Sequence, residues 1–125
     1  MWMPTRLTTN RKRHTMPIIR VETAEIYDWT SFHRVFAHAL GFPAFYGGNM
    51  NAMIDCLGYM DDPSAGMTTV HVRSGDTLTI DLGSIASFKS ICPEQFVAVQ
   101  DACGFVNWRR VRGEMSAIVA LSYSE

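Results

Sequence analysis

Long apolar runs are missing from this chain of 125 residues, and no stretch approaches the ~18 residues that a bilayer-crossing helix needs. Cysteine is scarce and odd in number, with only Cys56, Cys92 and Cys103. They show neither a CxxC pair nor a Cys/His ligand spacing, which argues against a disulfide framework and a zinc site and fits a reducing cytoplasm. Walker A and GxGxxG patterns are absent too, because the adjacent glycines Gly47 and Gly48 run straight into Asn49. No metal and no cofactor are therefore expected. The first residues have no apolar h-region, which excludes a secretory signal there. No internal repeat or low-complexity tract is found. What is present, 47% apolar and 18% charged residues, is the composition of one globular domain with a core, and the length is short for two.

Charge is divided unevenly along the chain. The formal net charge is -1, but Arg6, Arg11, Lys12 and Arg13 all precede Met16. From Met16 onward seven basic residues face twelve acidic ones, a net of -5. Such a domain suits a basic partner and is poorly suited to binding nucleic acid directly. Residues 1–15 lack periodicity and read either as a disordered basic tail or as a mis-assigned start. The domain is expected over residues 16–125, as a monomer.

Strand-like and helix-like segments alternate. Residues 17–22 (PIIRVE) form a first β-branched run. Asp28 or Thr30 can cap a helix in which Phe32, Val35, Phe36, Ala39 and Leu40 share one face, stopped by Gly41 and Pro43. A second helix starts at Asn49, a good N-cap, after the Gly47-Gly48 reversal, and ends before Pro63. Residues 68–72 and 77–82 read as two strands of a hairpin around Arg73-Ser74-Gly75-Asp76. Residues 84–90 are read as a short helix. Pro93 opens another, with Phe96, Val99 and Cys103 on one face until Gly104 ends it. The apolar run 117–123 (AIVALSY) suits a strand covered on both sides in a parallel sheet. The order β-α-α-β(β)-α-α-β describes a small α/β domain.

In the second helix an advance of about 100° per residue separates two faces. Met50, Met53, Leu57 and Met60 lie on a core side. Asn51, Asp55, Gly58 and Tyr59 lie opposite, with Ile54 at their edge, a mixed patch of the kind that docks. The stretch Phe45-Tyr46-Gly47-Gly48-Asn49-Met50-Asn51-Ala52-Met53-Ile54-Asp55-Cys56-Leu57 resembles, without gaps, the turn and helix of the barstar family of ribonuclease inhibitors. Leu78 to Leu82, Pro93 to Ala102 and the closing apolar run are similar to that family's later elements. The resemblance implies a mainly parallel three-stranded sheet on about four helices, with or without the added edge hairpin strand. It also implies a partner, a basic ribonuclease or nuclease-type toxin, whose active site the turn and helix plug.

By the same resemblance Asp55 stands where a substrate phosphate would sit, since a nuclease gathers Arg, Lys and His donors there. Phe45, Gly47, Asn49, Met50 and Ile54 match partner-facing or turn positions, and Asp101 a second acid on the last helix. Asn51 replaces an acid and Ile54 a Trp, so the partner is expected to differ from barnase. Outside that motif Asp55 would read as an ordinary solvated acid, and Phe45 and Tyr46 as aromatics of which at least one packs under the turn.

Catalytic sets are not specified. Cys56 lies toward the sheet as a small buried thiol, and His33 and His38 point about 140° apart on their helix, which rules out an i, i+4 metal pair. The rival signal is Trp108 with Arg109, Arg110 and Arg112, which could serve an RNA-binding or enzymatic module. Its bland alternatives are a solvated turn before the last strand and arginines paired to surplus acids.

Overall fold

The computed structural model describes residues 17–125. The expectations for residues 1–15, and for Met16 as a start, lie outside the described residues. Three parallel strands form one sheet in the order β1-β2-β3: β1 (Ile18–Arg20), β2 (Leu78–Ser84) and β3 (Val119–Ser124). Four helices accompany it: α1 (Trp29–Leu40), α2 (Met50–Gly58), α3 (Ala86–Ile91) and α4 (Pro93–Arg112). Short 3-10 turns at Thr23–Glu25 and Pro63–Ala65 complete the order.

Alternation along β2 decides which side of the sheet is covered. Leu78, Ile80 and Leu82 are buried while Thr79 and Asp81 stay partly exposed, so the helices pack on one face and the other is open to water. On that open face Arg20 pairs with Asp81 at 3.0 Å. A register irregularity between Asp81 and Gly83 lets the Asp81 carboxylate accept from the Gly83 N–H at 2.9 Å. Gly83 takes φ +68°, and a Cβ there would press to 3.3 Å of the Arg20 guanidinium, so this kink needs glycine.

Local signals position α1 and α2. Asp28 caps α1 in a reciprocal box with Ser31: Ser31 N–H donates to Asp28 Oδ1 at 2.8 Å and Asp28 N–H donates to Ser31 Oγ at 3.0 Å. Gly41, at φ +67°, ends the helix in the left-handed region. Phe32, Val35, Phe36 and Leu40 of α1, Met53 and Leu57 of α2, and Phe96, Val99, Cys103 and Val106 of α4 meet the inner face of the sheet in one core.

Three expectations are corrected. Residues 68–72 are not a strand, because β2 already has β1 on one side and β3 on the other, which leaves no ladder for a hairpin. The segment instead sends Thr69 N–H to the Leu40 carbonyl and Val72 N–H to the Met60 carbonyl, satisfying backbone groups at the ends of α1 and α2. Gly104 does not end the last helix. It sits exposed within α4, and the burial of Val106 and Arg110 on the following turns outweighs the ~1 kcal/mol that a helical glycine costs. Finally, β3 is an edge strand covered on one face, with Ala120 exposed between buried Val119 and half-buried Leu121.

Candidate functional site: the aromatic turn, α2 and the groove to α4

The turn before α2 divides its two aromatics. Tyr46 points inward, its hydroxyl 2.6 Å from Nδ1 of buried His33 on α1 and its ring 4.7 Å from Phe42. Trp29 also stacks on His33, with ring centroids 6.0 Å apart. Burial pushes the Tyr46 phenol up and the His33 imidazole down, so both are held neutral as a hydrogen-bonded pair. Phe45, fixed by this anchor, projects into water at 75% exposure. Gly48 takes φ +67° with open space around it. Asn49 is spent as the N-cap of α2, its Oδ1 accepting from Ala52 N–H at 2.9 Å, while Gly47 lies exposed beside it.

Along α2 the inward residues are Met53, Cys56 and Leu57, with Met60 buried just beyond. Asn51 and Asp55 are exposed, and Tyr59 follows at 48% exposure. Met50 and Ile54 are half-buried and turn toward α4. With Ala98, Asp101, Ala102 and Phe105 they line a groove of about 280 Å³. Asp101 is thereby brought to Ile54 and Met50 from a distant part of the chain. A second groove of about 360 Å³ runs from Asp55 and Tyr59 past Asp62 to Arg109 and Met115. A smaller hollow of about 210 Å³ joins Asp55 to Phe45 and Gly47. Asp55 thus stands on the ridge between two hollows, and among the described residues its carboxylate enters no ion pair or side-chain hydrogen bond.

Arg110 behaves otherwise. It is buried, bonds Asp61 at 2.7 Å, and donates to the Gly58 carbonyl at 2.9 Å and the Ser116 carbonyl at 2.8 Å. The three arginines do not sit in a solvated turn before the last strand, one of the alternatives the sequence offered, and of the three Arg110 is paired to an acid, as the other alternative had it. They lie on the last turns of α4, where Arg110 is a structural tie between α4 and the end of α2. Sequence reasoning missed this tie, the His33–Tyr46 anchor and the approach of Phe105 to Ile54. The spacing of Phe105, Trp108, Arg109 and Arg112 was the available signal, hidden by reading Gly104 as a stop.

Nucleophilic chemistry has little to work with. Cys56 is buried, and desolvation, with the Asp55 charge beside it, pushes its thiol up to about 11; burial pushes Cys103 up to about 12. Both remain protonated at neutral pH. Among the described residues no group of three His, Cys, Asp or Glu side chains is placed to hold a metal ion, and no helix is long and apolar enough to cross a membrane.

Fold and site together define a small parallel α/β domain whose distinguishing feature is a displayed surface: an aromatic turn and a helix carrying an exposed carboxylate that is unpaired among the described residues. Residues 16–114 match the family described as Barstar (barnase inhibitor), and the chain belongs to that family. No curated protein matches it.

Proposed function

We propose that the chain is a cytoplasmic inhibitor of a basic ribonuclease or related nuclease-type toxin, acting as a binding protein rather than an enzyme. The turn and α2 occlude the partner's active site, with Asp55 in the place of a substrate phosphate. The observation that carries this reading is the Asp55 carboxylate, exposed on a ridge and without an ion-pair partner among the described residues, in a chain of the barstar family. An unpaired carboxylate is ready to accept charge-assisted hydrogen bonds from the Arg, Lys and His donors of a phosphate site, where exclusion of water strengthens them.

Phe45, Gly47, Asn49, Met50, Asn51, Ile54 and Asp101 surround Asp55 as the remaining contact surface. Support for Met50, Ile54 and Asp101 comes from the one groove they line; support for Phe45 comes from its exposure beside Asp55. Asn49 contributes by starting the helix at the right place, since its side chain is committed to the cap. The acidic balance from Met16 onward favours fast encounter with a basic enzyme. Barnase itself is not the expected target, because Asn51 and Ile54 replace an acid and a large aromatic anchor.

The test is capture of ribonuclease activity from the source lysate on the immobilised chain, followed by titration of the purified enzyme with a fluorogenic RNA. Asp55→Ala should raise the inhibition constant about 30-fold or more, as truncation of a buried interfacial charge does. The exposed acid Glu94, replaced by Ala, should leave it nearly unchanged. Equal potency of Asp55→Ala and the parent chain would sink the reading.

A further inference from the structure

Beyond the site, the far half of α4 carries an ordered strip that no part of the core requires. The rings of Phe105 and Trp108 stack at 5.8 Å. The Arg109 guanidinium lies 5.3 Å over Phe105 and that of Arg112 4.8 Å over Trp108. Spacings of three and four residues put all four side chains on one helical face. Trp108 is 53% exposed and Phe105 43%. A cation over an exposed ring is worth only about 0.5–1 kcal/mol, little return for leaving an indole in water. Stacking does hold the guanidinium groups in place, which lowers the entropy lost when they bind something.

Those two guanidinium groups are also chemically open. The salt bridges among the described residues engage Arg20, Lys89 and Arg110. Arg109 and Arg112 have no carboxylate partner there, although acids outnumber bases by twelve to seven from Met16 onward.

We propose that this strip is a second recognition surface, receiving an acidic, partly apolar rim of the same basic nuclease whose active site Asp55 occupies. The inference rests on the inhibitor reading. Continuity supports it: Phe105 walls the groove that holds Ile54 and Asp101, and Arg109 walls the groove that holds Asp55 and Tyr59. A protein covering the usual ~800 Å² of its partner and centred on Ile54 and Asp55 reaches the strip as well. Charge then decides what lies over each part. Asp55 and Asp101 face the cationic centre of the nuclease, and Arg109 and Arg112 face carboxylates at its edge. RNA fits this strip less well, because Asp55, Asp62 and Asp101 line the adjoining grooves and repel phosphate, while Arg110 is already committed to Asp61.

The experiment uses the full chain and the captured ribonuclease, read by inhibition of RNA cleavage, with every variant checked for an unchanged melting temperature. Arg112→Glu and Arg109→Glu should each raise the inhibition constant about tenfold or more, with most of the loss in association rate at low salt. Trp108→Ala should raise it about fivefold or more, mainly through dissociation. If the arginine reversals stay within about twofold while Asp55→Ala loses about 30-fold, the strip is not an interface and the inhibitor reading survives alone. If Asp55→Ala inhibits as well as the parent, the inhibitor reading fails and takes this inference with it. Two further outcomes overturn it by naming another occupant. One is binding of a 12-nucleotide single-stranded RNA that Arg112→Glu abolishes. The other is concentration-dependent dimerisation in sedimentation that Trp108→Ala abolishes.

Discussion

Asp55, on α2, and Asp61, just past its end, line the same groove, yet they serve opposite purposes. Asp61 is tucked against Arg110 at 2.7 Å, with the guanidinium further tied to two carbonyls. Asp55 looks outward from the ridge between two grooves and is tied to nothing among the described residues. The same contrast divides α4, where Arg110 is buried and Arg109 and Arg112 lie over aromatic rings in the open. Charge that is paired and desolvated holds the end of α2 against α4. Charge that is left open is available to another molecule, and the paired set is what keeps the open set in position.

Breaking the paired side should have the largest effect. Arg110→Ala leaves Asp61 without its partner and strips donors from the Gly58 and Ser116 carbonyls, so a loss of about 3–5 kcal/mol in urea unfolding is expected. Asp55→Ala, on the open side, should stay within about 0.5 kcal/mol of the parent. Equal effects on stability would erase the distinction. Arg110→Ala is for the same reason a poor probe of partner binding, since its effect on folding would be mistaken for an effect on contact.

Next in size is the anchor of the turn. Tyr46→Phe removes the hydroxyl from the buried His33 Nδ1 and should cost about 1–3 kcal/mol in thermal or urea unfolding, while Phe45→Ala, on an exposed ring, should cost far less. The same anchor sets a pH dependence. Burial holds the His33 pKa below its ordinary 6.5, so as pH falls below that value the unfolded chain gains a proton that the folded chain refuses. Stability should therefore decline toward acid until the folded pKa is passed. A His33→Gln variant should lack that part of the decline when ΔG is compared between about pH 7 and pH 5.

The smallest effect has the opposite sign. Gly104 lies in open space on an exposed turn of α4 and does not have a positive φ, so Gly104→Ala should stabilise the protein by about 0.5–1 kcal/mol. Destabilisation would mean that the helix breaks there and that Phe105, Trp108 and the arginines do not share a face.

Much of the architecture was legible because it rests on local chemistry. Asp28 before a 3.6-periodic apolar face, Gly41 after it, and Asn49 behind two glycines mark helix ends through capping alone. The alternation of Leu78, Ile80 and Leu82 marks the strand that became the centre of the sheet. The errors arose where a neighbour decided. Residues 68–72 have strand composition, but both flanks of β2 were taken. Gly104 is a local stop signal overruled by burial two turns further on. The site divides the same way: Asp55 and Asn51 follow from the outer face of a helix, whereas the meeting of Asp101 and Phe105 with Ile54 required α4 to pack beside α2.

By itself the sequence determined where helices begin and end, which face of α2 is apolar, and that the chain from Met16 onward is acidic, because these depend on residues within a few turns or on charge alone. Only the tertiary structure decided which charges are spent. Whether a carboxylate is neutralised depends on what packs against it, and Arg110 reaches Asp61 rather than Asp55 because α4 crosses the end of α2.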